Sequence, residues 1–295
     1  MPSPIADESG TTLTEPSFGA SPIPGWLPPR FYAAPDDPLV SNDFPGWWTR
    51  SFRLVRTAWR PLLLIQLISA VPAEMVQMWG AFTSNDRIAT TGSWRDVVEP
   101  FLPLLPFLLI VTLLGLVTAL AMQRVLVQAV TARPIAIGAA LLDGLRRTPA
   151  LLGWGLVAGL VIVVGLVCCV LPGVYLAAVF AILPVVVLLE RGNAFTRSFQ
   201  LFHGDFGIAL SRVATIFGVT VASFCAEGQF ARVLAPGPLD GAEASSTWSI
   251  VASNLLYALF ALANAILLTP MLLTAYADMR ARREPFSTAY LAPAQ

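Results

Sequence analysis

One long uncharged stretch constrains the fold of this chain more than any other feature. From Thr148 to Leu189 there is no Asp, Glu, Lys or Arg, and the run is interrupted only by Pro172-Gly173 near its middle. A helix needs about 20 apolar residues to cross the roughly 30 Å hydrocarbon core of a bilayer, because each residue rises about 1.5 Å. The stretch therefore predicts two membrane-spanning helices, with the Pro-Gly pair as the tight turn between them.

The composition of the whole chain agrees with a membrane protein. Of the 295 residues, 56% are hydrophobic and 12% are charged, whereas ordinary soluble domains carry about 25% charged residues. The net charge is zero, so the chain lacks the overall basic field that attracts nucleic acid, and no nucleic-acid partner is expected.

Further apolar segments predict an all-α fold, a polytopic transmembrane helical bundle of about six spans. The predicted spans are 61–79, 101–122, the two halves of the uncharged stretch, 206–226 and 250–275. Polar loops are expected at 85–100 and 227–248. Pro184 lies inside the fourth span and should kink it, because proline removes a helical hydrogen bond.

Amphipathic interfacial helices are expected before spans 1, 3 and 5. In 44–60 the arginines recur at helical spacing, with aromatic residues on another face, a pattern that favours a helix at the membrane interface. The Thr-Arg-Ser-Phe sequence at Thr49 recurs at Thr196. We therefore predict three units of surface helix plus membrane hairpin, at 46–128, 134–190 and 193–284. The alternative is that any inner-leaflet flank favours arginine beside aromatic residues.

The ends of the chain and the arginines predict domains and orientation. We expect a disordered Pro-rich cytoplasmic tail over 1–45, a transmembrane domain over 46–286 and a short tail over 287–295. Of the 18 basic residues, all arginine, Arg87, Arg95 and Arg232 flank one set of span ends, Arg30 lies in the tail, and the other fourteen flank the opposite set. By the positive-inside rule both termini are cytoplasmic, in the inner membrane of a bacterium.

Three motifs give a resemblance to a known family. They are P-G-x-Y-L at Pro172 to Leu176, L-E-x-G-x-A-x-x-R-S-x-x-L-x-x-G-x-F from Leu189 to Phe206, and Y-A-D-M-R-A-R from Tyr276 to Arg282. Together they resemble the membrane domain of bacterial glycerophosphoryl diester phosphodiesterases, over about residues 44–285. The resemblance implies membrane location and topology. It implies no catalytic residue, because the paired histidines and metal-binding carboxylates of the phosphodiesterase domain have no counterpart here.

The charged residues next to the spans are the candidate site. Glu190, Arg197 and Asp205 cluster in sequence, and they form either a headgroup or partner site or mutual ion pairs that fix the surface helix to the bundle, which is the interpretation we favour. Within the spans, Glu74 and Arg212 are expected to snorkel toward the bilayer surfaces. The other candidate lipid- or partner-binding residues are Arg50, Arg53, Arg56, Arg146, Arg147 and Arg280.

No arrangement of catalytic or metal-ligating residues is apparent in the sequence. His203 is the only histidine, and no cysteine stands at metal-ligand spacing. Cys168, Cys169 and Cys225 are expected to be small buried residues, although a bridge between the ends of spans three and five is an alternative. Gly155-x-x-x-Gly159 is expected to support close helix packing. We predict no metal, no cofactor and no enzymatic activity.

Two functional interpretations follow. The first is a non-enzymatic membrane protein that organises or assists envelope or lipid processes through its basic inner surface, with the bilayer, anionic lipids or another membrane protein as partners. The second is a small permease or an accessory subunit of a transporter. It is favoured by Pro184 and Pro270 within spans, and by Asn254 and Asn264, which are able to line a cavity. An intramembrane hydrolase is a third and weaker alternative, because no nucleophile–base pair is evident.

Overall fold

A computed structural model describes residues 32–34, 36–85, 99–234 and 247–291. Within these ranges the chain is helical and contains no strand. The helices are α1 (Phe44–Asn85), α2 (Leu105–Val130), α3 (Ile137–Cys168), α4 (Val170–Phe180), α5 (Leu183–Leu189), α6 (Ala194–Phe202), α7 (Phe206–Leu234) and α8 (Thr247–Ala281). Short 3-10 turns occupy Glu99–Leu104 and Thr288–Leu291.

Six apolar spans are confirmed. The stretches long and apolar enough to cross a membrane belong to α1, α2, α3, the α4–α5 pair, α7 and α8. Consecutive spans pack as the hairpins α1–α2, α3–α4 and α7–α8. Neighbouring hairpins also contact each other, through the pairs α2–α3, α4–α7 and α8–α1. The spans therefore follow one another around a ring.

Helix α5 lies inside this ring at one end. It contacts α2, α3, α6 and α8, and all but two of its residues are buried. A helix that is apolar on every side is stable only where every side is covered. The predicted kink is found as a full break of span four at Ala181-Ile182, with Pro184 in the first turn of α5. The break moves the chain from the edge of the bundle to its centre.

The predicted turn at Pro172-Gly173 is wrong. The chain reverses at Cys169, whose backbone is extended, and Pro172 lies in the first turn of α4, where its missing N–H costs no hydrogen bond. Gly173 lies where α4 crosses α3: a Cβ atom there would come within 2.6 Å of the Leu166 backbone nitrogen. The Pro-Gly pair therefore begins a helix and allows a close crossing.

Of the three predicted surface helices, only α6, before span five, is found as a separate helix in the described part of the chain. The segments 44–60 and 137–147 are instead the first turns of α1 and α3. Helix α1 has 42 residues, so it is about 63 Å long, twice the thickness of the hydrocarbon core. It continues through Pro61, and one buried stripe, formed by Leu54, Ala58, Leu62 and Ile65, runs past this proline.

The two Thr-Arg-Ser-Phe repeats occupy similar environments. Ser51 and Ser198 are both fully buried. Each hydroxyl donates a 2.9 Å hydrogen bond to the carbonyl four residues earlier, of Trp47 and Ala194 respectively. The first and third predicted units thus share a local arrangement at the point where each begins.

Residues 36–43, here called the strap, form part of the fold, so the predicted disordered tail ending at residue 45 extends too far. Leu39 and Val40 are buried. The Asp37 carboxylate accepts hydrogen bonds from the Leu39 amide (2.9 Å) and from the amide (2.8 Å) and hydroxyl (2.6 Å) of Thr288. The strap therefore binds the predicted C-terminal tail. Residues 1–31, 35 and 292–295 and most of the two predicted polar loops (86–98 and 235–246) lie outside the described residues.

The buried core lies at the end of the bundle that holds the strap, α5 and α6. Farther along the spans, large apolar side chains face outward: Leu160 is 67% exposed and Val167 is 82% exposed. Water would make such exposure costly, whereas lipid tails are as apolar as the side chains themselves. The distribution of exposed side chains therefore matches a protein embedded in a bilayer.

The expectations for several small residues are wrong. Added Cβ atoms at Gly155 and Gly159 would meet nothing within 4 Å, so the predicted close-packing motif faces open space. Cys168, Cys169 and Cys225 are exposed free thiols, neither buried nor bridged. The close helix approaches occur at other glycines, which the periodicity of the sequence did not mark.

Candidate functional site

Ion pairs and hydrogen bonds join the starts of α1, α3 and α7 to the ends of α2 and α8. Arg124 on α2 pairs with Asp143 on α3 at 3.0 Å, and Arg212 on α7 pairs with Asp278 on α8 at 3.1 Å. With the strap, α5 and α6, these helix ends form what we call the basic end. The predicted candidate residues lie on these segments.

The Arg212–Asp278 ion pair is buried inside the basic end. Their side chains are 1% and 0% exposed, and Arg212 Nε lies 3.1 Å from Asp278 Oδ2. The predicted snorkelling of Arg212 is therefore wrong, because its position two turns into α7 directs the guanidinium to a carboxylate in the bundle interior. Glu74, the other charge in a span, is half-buried, and its Oε2 is enclosed with no hydrogen-bond partner among the described residues.

The strap completes the surroundings of this pair. Asp278 Oδ1 accepts a 2.6 Å hydrogen bond from the Ser41 amide, and Arg212 Nη2 donates to the Asp43 carbonyl at 2.9 Å. The guanidinium also lies 5.3 Å and 5.0 Å from the ring centroids of Phe44 and Trp47. A buried charge needs such partners, since its desolvation costs several kcal/mol.

Four charged residues and a tyrosine form what we call the charge ring. Arg197 lies 2.6 Å from both Glu190 and Glu284. Arg280 lies 2.5 Å from Glu284 and 4.0 Å from Glu190. The Tyr276 hydroxyl donates to Glu190 at 2.7 Å and accepts from Arg280 at 3.0 Å. The ring connects α6 to the end of α8, so it is arranged as the ion-pairing interpretation of Glu190 and Arg197 expects.

The charge ring is built to stay ionised. Burial alone would lower the pKa of Arg197, but the hydrogen bonds and charges of Glu190 and Glu284 outweigh it, and the pKa is raised. Burial alone would raise the pKa of Glu284, but the hydrogen bond from Arg280 and the charge of Arg197 lower it below its ordinary 4.5. The raised pKa of Arg197 and the lowered pKa of Glu284 both favour the charged forms of this ion pair at neutral pH.

We expect acid to loosen α6. Because the pKa of Glu284 is lower in the folded protein than in the unfolded chain, its contribution is fully present above pH 4.5 and is lost as the pH falls through the folded value. Hydrogen-exchange protection factors of α6 amides should therefore decline below about pH 4.5. Glu284→Gln should show weaker protection at pH 7 and a shallower decline in acid. Protection that stays flat as the pH falls below 4.5, down to the pH at which the whole protein unfolds, would contradict this role.

Asp205 does not join Glu190 and Arg197 as predicted. It pairs instead with Arg282 at 3.2 Å, and it caps α7 by accepting from the Ile208 amide at 3.3 Å. The reason is that α6 ends at Phe202, so Asp205 lies at the start of the next helix and faces the end of α8. Sequence reasoning also missed Glu284, although the Y-A-D-M-R-A-R motif that precedes it was recognised.

Several arginines at the basic end are exposed to solvent. Within the part of the chain that the structure describes, these side chains form no ion pair: Arg53, Arg56, Arg60, Arg146 and Arg191. Arg50 donates to the Asp37 carbonyl at 3.0 Å, and half-buried Arg147 donates to the Val187 carbonyl at 3.4 Å. The predicted arginines therefore divide into structural ones and outward-facing ones.

A cavity of about 440 Å³ opens among α3, α5 and α6. We call it the cleft. Its walls are Arg147, Ala150 and Trp154 of α3, Val186 and Val187 of α5, the 190–193 connection, and Ala194, Thr196, Arg197 and Gln200 of α6. The connection turns sharply at Gly192, whose φ of +133° favours glycine. Sequence reasoning missed the cleft because its walls come from segments about fifty residues apart.

His203 is held by two hydrogen bonds. Its Nδ1 donates to the Phe199 carbonyl at 2.8 Å, and its Nε2 shares a 2.6 Å hydrogen bond with the Tyr175 hydroxyl. Among the described residues there is no group of three or more His, Cys, Asp or Glu side chains that could hold a metal ion. The arrangement around His203 links α4 to the end of α6.

Comparisons of the chain with protein-family models, curated proteins and solved structures found no match. Function is therefore inferred from the geometry of the basic end. That geometry combines a body of apolar spans, a charged network that holds the helix ends together, and outward-facing arginines beside a cleft.

Proposed function

We propose that this integral membrane protein is non-enzymatic and organises or assists envelope or lipid processes by binding anionic lipids through its basic end. The observation that carries the proposal is the set of exposed arginines, without an ion pair among the described residues, beside six apolar spans. By the positive-inside rule, we place the basic end and both termini on the cytoplasmic face of a bacterial inner membrane.

The electrostatics of a membrane surface support this proposal. Anionic lipids of the cytoplasmic leaflet attract juxtamembrane basic residues by about 1 kcal/mol each. Arg53, Arg56 and Arg60 lie on one exposed face of α1 at helical spacing, so their attraction to lipid phosphates adds up on one side of the protein. Arg197, Arg280 and Arg212 pair with carboxylates of the charge ring and of the buried ion pair. The arginines on this face of α1 are therefore the ones available to bind lipid phosphates.

We expect the protein to gather anionic lipid around itself. In proteoliposomes, brominated phosphatidylglycerol should quench tryptophan fluorescence more strongly than brominated phosphatidylcholine, and the difference should shrink as salt screens the charges. The triple variant R53Q/R56Q/R60Q should lose most of the difference. The matched control, R53K/R56K/R60K, keeps the charge and should retain it. Equal quenching by both lipids in the native protein would contradict the proposal.

A permease or transporter subunit is the second candidate. The break of span four and the location of α5 inside the bundle are features that discontinuous transporter helices share. The prediction that Asn254 lines a cavity is less well supported, because its side-chain amide donates a 2.8 Å hydrogen bond to the Ile250 carbonyl of its own helix. Substrate-dependent flux into proteoliposomes, lost on Asn264→Leu, would favour this candidate over the first.

We also propose a relation to the membrane domain of the phosphodiesterase family. The three motifs that carry the resemblance contact one another in pairs. Tyr175 of the first motif contacts His203 of the second, and Glu190 of the second contacts Tyr276 of the third. Contacts between separate motifs support a shared structural role for them.

A further inference from the structure

The cleft has an excess of positive charge that the charge ring does not neutralise. Glu190 and Arg197 line it but are paired with each other at 2.6 Å. Arg147 and Arg191 also line it, and within the described ranges neither forms an ion pair. Among the described residues, Arg147 makes one long hydrogen bond, of 3.4 Å, to the Val187 carbonyl. Two guanidinium groups therefore have donors to spare for an anion.

One wall of the cleft is apolar and leads toward the membrane. Ala150 and Trp154 follow Arg147 at intervals of three and four residues along α3, so they lie on one helix face. The same face continues to Val157 and Val164, which are 47% and 53% exposed. A ligand with an anionic head in the cleft and an apolar tail would find a continuous apolar surface along α3.

We propose that the cleft binds one phosphate group, and that this phosphate belongs to the headgroup of a single anionic phospholipid. Arginine presents paired N–H donors whose geometry matches phosphate oxygens. The cavity volume of about 440 Å³ falls within the roughly 300–1,000 Å³ of ligand pockets. Trp154 suits the interface between headgroup and acyl chains, because tryptophan is enriched at that depth.

The inference deepens the proposed function and rests on it, since it turns a general attraction into one defined site. The surface arginines of α1 attract a diffuse layer of lipid, whereas the cleft retains a single molecule. The two can be separated because Arg53 and Arg56 lie on α1, outside the walls of the cleft.

Native mass spectrometry of the full chain released from detergent should count the retained lipid. We expect one phosphatidylglycerol on the native protein, with phosphatidylethanolamine retained at least about tenfold less often. R147Q/R191Q should lose at least about tenfold in phosphatidylglycerol occupancy. R53Q/R56Q, which removes the same charge from α1, should keep it. Ala150→Trp fills the cleft and leaves both arginines in place, so it should also lose the lipid. This variant tests the site independently if the double variant misfolds.

The outcomes distinguish a lipid phosphate from a soluble phosphate. They also distinguish failure of the cleft site from failure of the proposed function. A bound inorganic phosphate that displaces the lipid at millimolar concentration would overturn the phospholipid assignment and give the site to a soluble phosphate. Equal retention in native protein, R147Q/R191Q and Ala150→Trp would overturn the cleft site. If the bromolipid quenching difference persists in that case, the proposed function stands without the cleft. If the quenching difference is absent while the cleft variants lose their lipid, the general lipid-gathering role fails and the single site stands.

Discussion

Replacing Arg212 with leucine should destabilise the protein by about 3–5 kcal/mol. The change leaves the Asp278 carboxylate, which is fully buried, without its opposite charge. It also removes the hydrogen bond to the Asp43 carbonyl and the cation–π contacts with the Phe44 and Trp47 rings. Reversible unfolding in mixed detergent and SDS micelles, followed by circular dichroism, would measure the loss.

The double variant R212L/D278L provides the control for this prediction. Because apolar side chains of similar size can replace a buried ion pair at little net cost, the double variant should recover much of the stability that the single variant loses. A cost below about 1 kcal/mol for R212L would show that water reaches the pair, since exposed ion pairs contribute about that much or less.

The second large effect is expected from Gly173→Ala. The new Cβ would lie 2.6 Å from the Leu166 backbone nitrogen at the crossing of α3 and α4, so the two helices must separate. Overpacking of this kind costs about 1–3 kcal/mol. The same unfolding measurement applies.

Gly153→Ala is the matched control, since a Cβ there meets nothing within 4 Å. In an open helical position alanine is favoured over glycine by about 0.5–1 kcal/mol. The two variants should therefore shift stability in opposite directions. Equal effects would mean that the α3–α4 crossing is looser than the structure shows.

The six spans could be predicted from the sequence because the thickness of the bilayer sets the length that a spanning helix needs. A count of consecutive apolar residues is therefore enough to recognise such a helix. The positions of the turns also depend on how the helices pack against one another. Proline suits the second position of a turn and also the first turn of a helix, so Pro172 fitted both interpretations. Only the packing of Gly173 against α3 distinguishes the two.

The candidate site could be predicted only in its local part. Glu190 and Arg197 are close in sequence, and their pairing followed from that proximity. Their partners Arg280, in the last turn of α8, and Glu284, just after that helix, lie more than eighty residues away in sequence. Arg212 lies near a span end, a position compatible with both snorkelling and burial. The identity of its partner, Asp278, is set by how α7 and α8 pack.

The strap has a consequence for biosynthesis. Asp37 is translated early, but it accepts hydrogen bonds from Thr288, near the end of the described chain. A ribosome delivers these partners in order, so all six spans must be made before the strap can dock. A nascent chain stalled before Thr288 leaves the Asp37 carboxylate without two of its donors. The strap, near the start of the described chain, can therefore complete its hydrogen bonds only after residues near the end of the described chain have been made.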